Sequence, residues 1–303
     1  MTREYMLSQL DDVKWCAGVS LASGNIWCFT CCDKLKGWLD IFIYMASLDY
    51  GCRVNDYVNK FIFIEKKDSN KLPSHFVRGS FVEPCKNLYS RIWQHPSHKD
   101  IYVELNVDRI FEAGMEIMTM FNVWKIIHKH YTDNGSTPFH AAFAELDNKG
   151  ILITAPGSTG KTTSYHRLPN YWNKYADDLA LVVKAGGDNY NVHPLPTWSD
   201  YVIREERTTF RVEHSVPLKG IFFLEQSNKD EVEEINQGIA VMEIFNSLKS
   251  NSERLLPRMD NQERQVTYRK LLDTSIDLAK TIPCYRLKAT LHGEFWKEIE
   301  KVL

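Results

Sequence analysis

Glycine and proline are scarce in this chain, at 15 and 11 of 303 residues. That scarcity excludes a linker-rich or low-complexity protein. Charge of either sign is not in excess, since 37 Lys and Arg face 39 Asp and Glu for a formal charge of −2. A nucleic-acid binder working through a broad basic face is therefore not expected, although a local basic pocket stays open. No apolar run reaches the roughly 18 residues of a membrane span. The best stretch, Trp38 to Leu48, is short and interrupted by Asp40. The opening MTREYMLSQLDD carries both signs and lacks a signal peptide's apolar core, so a cytoplasmic protein is expected.

Cysteine is present but odd in number: Cys16, Cys28, Cys31, Cys32, Cys52, Cys85 and Cys284. That reads as unbridged thiols in a reducing compartment. Cys28, Cys31 and Cys32 have half of a zinc-site spacing, but no second pair matches them. Buried thiols in a β-rich core are the preferred reading, with a metal site kept open.

The length exceeds one domain of about 100–200 residues, so two domains or one large one are expected. The turn-rich YTDNGST at 131–137 is the best boundary. It separates an N-terminal mixed α+β domain, 1–130, from a second domain, 131–303. WCAGVSL, GNIWCFTCC, KFIFIEKK and IYVELNV read as strands, while 36–48 is ambiguous between helix and strand. Residues 108–130 predict a helix with Asp108 as N-cap and His128, Lys129 and His130 in its last turn. In the second domain, strands are predicted at 139–146, 150–155, 179–183, 216–226 and 283–292. Helices are predicted at 230–255, 261–280 and the C-terminus.

The most informative segment is Gly150-Ile-Leu-Ile-Thr-Ala-Pro-Gly-Ser-Thr-Gly-Lys-Thr-Thr163. An apolar strand, a loop of small residues and a helix starting at Gly160-Lys161-Thr162 form the context of a Walker A phosphate loop. Small residues let backbone N–H groups of Gly157, Ser158, Thr159 and Gly160 converge on a phosphate. Lys161 adds a charge that reaches the β- and γ-phosphates, and the Thr162 hydroxyl suits Mg²⁺. Thr163 is counted with these residues as nucleotide-binding. Ala155 stands where the usual pattern has Gly. The pair Asp177-Asp178 follows closely and precedes an apolar strand. One carboxylate can hold Mg²⁺ while the other takes a proton from an attacking hydroxyl.

The order His140, phosphate loop, Ala176-Asp177-Asp178 resembles the HPr kinase/phosphorylase family, whose fold is related to phosphoenolpyruvate carboxykinase. More of the chain resembles a divergent branch, the SynChlorMet cassette proteins called ScmC. The matching pieces are Pro138-Phe-His-Ala-Ala142, Gly157 to Thr163, Asp177-Asp178, His193-Pro-Leu-Pro-Thr-Trp-Ser199, Pro217 to Gln226, and Gly293-Glu-Phe-Trp296. The resemblance covers about 131–303 and implies an α/β P-loop domain with a mixed sheet. It implies that Lys161 binds phosphate, Thr162 and Asp178 bind Mg²⁺, Asp177 is the base and His140 sits near the transferred phosphate. Ala141 and Ser158 depart from the family's Gly positions.

Together these features lead us to expect an ATP- and Mg²⁺-dependent kinase acting on a Ser or Thr of a small peptide or protein. A gene cluster making modified peptides is the setting the resemblance implies. The alternative is a nucleotide-binding recruitment module without transfer, with 1–130 recognising the peptide. No nucleic acid or membrane partner is expected, and oligomerisation is left open. His193 to Ser199 reads either as a rigid substrate-positioning loop or as packing. Arg167 either reaches phosphate or lies on the surface. Arg204, Arg207, Arg254, Arg258 and Arg264 are the candidates for a charge-stabilising arginine.

Overall fold

The computed structural model describes residues 15–24, 26–50, 59–66, 82–86, 90–94, 99–110, 118–124, 136–196, 210–255 and 260–303. They group into two compact units, one from 15–20 and 24–124, the other from 21–23, 136–196 and 210–303. Both contain helices and open, mixed sheets, and the general class is α/β.

The first unit holds a six-stranded sheet in the order β1-β2-β3-β6-β5-β4. Its strands are β1 (Trp15–Ser20), β2 (Ile26–Cys31), β3 (Asn59–Glu65), β4 (Val82–Lys86), β5 (Ser90–Gln94) and β6 (Ile101–Leu105). The ambiguous segment is a helix, α1 (Lys36–Ala46), joining the parallel pair β2 and β3. Parallel strands need such a crossover. Trp38, Leu39, Phe42 and Ile43 supply its buried stripe, and it ends at Ser47 in the left-handed region. Trp38 packs 4.6 Å from Phe63 and Phe42 4.8 Å from Phe29, centroid to centroid. Cys28 and Cys31 lie three apart on β2 and so point to opposite faces. Burial pushes the Cys31 thiol up to about 12. Cys16, Cys28, Cys31, Cys32 and Cys284 form no disulfide. Of the helix expected at 108–130, only 118–124 is described as helical, and 107–110 form a turn. The helix start after Asp108, and His128 to His130, lie outside the described residues.

In the second unit, β7 (Thr137–Phe139), β8 (Ala141–Leu146) and β9 (Lys149–Thr154) lead into α2 (Lys161–Arg167). Then come β10 (Asn173–Ala176), β11 (Ala180–Lys184), β12 (Tyr190–Pro194), β13 (Val216–Gln226) and β14 (Glu231–Glu234). Helices α3 (Gln237–Leu255) and α4 (Asn261–Thr281), strand β15 (Cys284–Ala289) and α5 (Phe295–Glu300) complete it. The sheet order is β10-β8-β9-β13-β12-β11-β7, with β15 beside β13 and β14 beside β15.

Strand β13 joins two halves. Its start pairs antiparallel with β12, and the rest runs parallel to β9 and β15. Strand β9 is buried on both faces, as a central parallel strand requires. Leu152 packs toward the core shared with α3 and α4, whereas Ile151 and Ile153 face Leu168, Trp172 and Phe295. The β8–β9 turn uses Asp147 and Asn148, at φ 50° and 60°, the left-handed pair of a type I′ hairpin. Helix α4 starts with a capping box between Asp260 and Glu263.

Another segment departs from expectation. Residues 231–234 are a strand, not the first part of the helix expected at 230–255. Lys288 on β15 bonds Glu231 and Glu233 across the pair, which suits an edge strand. Among the described residues no helix is long and apolar enough to cross a membrane.

Candidate functional site

Strand register assembles the site. Ala141, the first residue of β8, pairs with Thr154, the last of β9. His140 therefore stands beside the loop that leaves β9. It lies at a break between β7 and β8 rather than on a strand as expected. The opposing chain breaks at the same level. Phe143 pairs with Ala176 on β10, and Phe139 pairs with Ala180 on β11. The bend between β10 and β11 holds Asp177 and Asp178, so it faces His140.

The His140 ring donates from Nε2 to Asp178 Oδ1 at 2.6 Å. Lys161 Nζ lies 3.6 Å from the same oxygen. The Lys161 side chain is buried, at 6% exposure, while that of Asp178 is 36% exposed. A buried ammonium is costly without a counter-charge, which Asp178 supplies. Asp177 is half-buried in the same bend. Thr154 Oγ1 donates to the His140 carbonyl at 3.1 Å and lies 3.1 Å from Ser247 Oγ of α3.

The loop 155–160 bends sharply. Ser158 has φ 64° and Gly160 φ 100°. Glycine takes the left-handed region without strain, but serine gives up roughly 1 kcal/mol there. Thr159 Oγ1 donates to the Pro156 carbonyl at 2.9 Å, and Gln226 Nε2 donates to the Thr159 carbonyl at 3.2 Å. Gly157 has open space where a side chain would stand. Thr162 and Thr163 are exposed in the first turn of α2. The Thr162 hydroxyl and the Asp178 carboxylate are hard oxygen donors of the kind Mg²⁺ prefers. Among the described residues no cluster of three or more His, Cys, Asp or Glu is gathered as for a tightly held metal ion.

Other candidates fall elsewhere. Arg167 donates to the carbonyls of Thr290 and Gly293 and lies over the Phe295 ring, 5.2 Å from its centroid. It ties α2 to the turn after β15, and its donors are engaged there. His193 is fully buried. Its Nδ1 donates to the Val212 carbonyl at 2.9 Å, and its Nε2 accepts from Ala22 N–H at 3.1 Å. Burial lowers its pKa to about 4. It is a satisfied neutral core histidine, which favours the packing reading of 193–196. Residues 197–199 lie outside the described residues.

Arg204, Arg207 and Arg258 also lie outside them, as does the side chain of Arg254. Arg264 is exposed on the first turn of α4. Two residues near the loop's end of the sheet were not read from the sequence as site residues. They are Gln226 and Arg286, the latter bonded to Glu225 at 2.6 Å and Glu243 at 3.4 Å.

No curated protein matches the chain. One family model does, over residues 104–303, from β6 to the C-terminus. It is the model of the SynChlorMet cassette protein ScmC, and the chain belongs to that family.

Proposed function

We propose that the second unit is an ATP-dependent kinase domain of the HPr kinase and phosphoenolpyruvate carboxykinase type. It transfers the γ-phosphate to a Ser or Thr hydroxyl of a small peptide or protein in a peptide-maturation cassette. The observation that carries this reading is the convergence of Lys161, Asp178 and His140 where β9 gives way to the loop. The family membership supports the cassette setting. A crevice beyond the carboxyl ends of parallel strands, here β9, β13 and β15, is also the usual ligand position in an open α/β sheet.

Gly157 to Gly160 offer backbone N–H groups to the phosphates, and Lys161 turns its ammonium from Asp178 toward them. Thr162 and Asp178 are the donors for Mg²⁺, whose charge offsets that of the β- and γ-phosphates. Asp177 takes the proton as the acceptor oxygen attacks the γ-phosphorus, and the bond to ADP breaks. His140 holds Asp178 in place.

The test is phosphate transfer to short peptides encoded beside this gene, followed by product mass. Lys161→Ala and Asp177→Asn should each lower transfer by about 10²–10⁴-fold. Unchanged transfer in both variants refutes the reading. Nucleotide binding by the wild type without transfer to any peptide supports a recruitment module instead.

A further inference from the structure

We infer that Gln226 is a positioning residue that sets the peptide plane between Thr159 and Gly160 and so aims the Gly160 N–H into the loop. As a statement about phosphate binding this rests on the kinase reading; as a statement about the loop it stands apart from it.

Register places Gln226 there. Thr154, where β9 ends, pairs with Phe223 on the parallel strand β13. Strand β13 continues through Leu224, Glu225 and Gln226. At about 3.3 Å per residue it overhangs the end of β9 by roughly 10 Å. The overhang runs alongside the loop.

Alternation decides which way each side chain points. Phe222 and Leu224 belong to the core on the α2 side, so Gln226 projects to that side as well. Phe223 belongs to the core with α3 and α4, so Glu225 projects the other way. There Arg286 holds it, and the same guanidinium also reaches Glu243 of α3. The backbone of Gln226 is fixed by its pairing with Ala289 on β15, and Ser227 N–H donates to the Ala289 carbonyl at 3.0 Å. The side chain is thus a short arm on a rigid strand end.

The arm grips the Thr159 carbonyl. In a planar trans peptide the C=O of one residue and the N–H of the next point in opposite directions. Holding Thr159 C=O toward β13 directs Gly160 N–H away from it. Gly160 is left-handed and, lacking a Cβ, tolerates either sign of φ, so this plane is free to flip unless it is held. Successive backbone N–H groups around left-handed residues form anion-binding concavities, and a held plane keeps those groups convergent. Thr159 Oγ1 and the Gly160 carbonyl are already engaged, by Pro156 O and Ser164 N–H. Gln226 supplies the remaining restraint.

The test uses the full chain and two variants, Gln226→Ala and Gln226→Glu. The second keeps the shape and removes both N–H donors at neutral pH. With ¹⁵N-glycine labelling, the Gly160 amide order parameter in the nucleotide-free protein should fall from near 0.85 to below about 0.6 in both variants. Gln226→Lys, which restores a donor, should return most of it. Global melting should stay unchanged. Unaltered Gly160 order in Gln226→Ala and Gln226→Glu overturns the inference. With ATP and Mg²⁺, the KM for ATP should rise about 3- to 10-fold in Gln226→Ala with kcat nearly unchanged, the mark of lost preorganisation. Loss of Gly160 order in Gln226→Ala and Gln226→Glu, together with a wild type that binds no nucleotide, refutes the kinase reading and leaves the brace established.

Discussion

Replacing Gly150 by alanine probes the junction where β13 passes from one half of the sheet to the other. A Cβ at this position would lie 2.7 Å from Val216 Cγ2, 2.8 Å from Val192 Cγ1 and 3.2 Å from the Pro217 carbonyl. Ordinary contact begins near 3.4 Å, so two methyls and a backbone atom must give way together. Val216 and Val192 are both fully buried and, being β-branched, have little rotamer freedom to do so. Overpacking of this kind costs about 1–3 kcal/mol. Working against it, alanine restricts the unfolded chain and stabilises by about 0.4–1 kcal/mol. The clash wins, and the net loss should be about 1–2 kcal/mol. For a unit of this size that lowers the melting point by a few degrees, roughly 2–4 °C per kcal/mol.

Gly157→Ala is the internal control. No atom lies within 4 Å of the added methyl there, so only the entropic gain remains. Hydrogen exchange of peptides from 141–154 and 216–226, with thermal melting, reads the difference. Equal stability of the two variants would refute the packing argument at the junction.

Two further outcomes follow from hydrogen-bonded polar side chains. His193 stays neutral in the fold down to about pH 4 but gains a proton near 6.5 when unfolded. The unfolded chain binds more protons between those values. Stability is therefore intact above about pH 6.5, and as pH falls to 4 it declines by up to about 3 kcal/mol. His193→Gln should flatten that slope in urea titrations, and an identical slope in both proteins argues against it. Arg167→Ala should speed amide exchange at Thr290 and Gly293 by releasing two carbonyl contacts, each of order 1–2 kcal/mol when partly exposed. Arg167→Lys should not rescue it, because one ammonium cannot span both carbonyls. Unchanged exchange in Arg167→Ala would remove the tether from the account.

The elements legible in the sequence are those whose signal is local. The apolar run 216–226 matches β13 residue for residue. The strand–loop–helix order around Gly160 was likewise readable, because small residues, lysine and threonine are clustered in sequence. Asp260 with Glu263 was a readable cap that the expected helix at 261–280 left unused. Residues 231–234 misled because an edge strand of glutamates and one valine carries no apolar alternation. Its pairing depends on Lys288, more than fifty residues away. His193 carried no clue to its burial, which comes from Val212 and Ala22. Arg286 and Gln226 were invisible for the same reason. Their positions follow from how far one parallel strand outruns another, a property of register and not of composition.

Strand β13 also has a consequence for how the unit comes to exist in time. Gly150 is matched with Leu218, and Ile221 with Cys284, so each of its parallel pairings closes a loop of more than sixty residues. Such closure must be met entropically before any of those contacts is rewarded, and folding slows accordingly. The β8–β9 hairpin can form early from neighbours alone. The Gln226 grip on the loop can form only after β13 has docked. A chain emerging in order presents the phosphate-loop sequence long before Cys284 to Ala289, so its loop becomes braced last, when nearly the whole unit has been made.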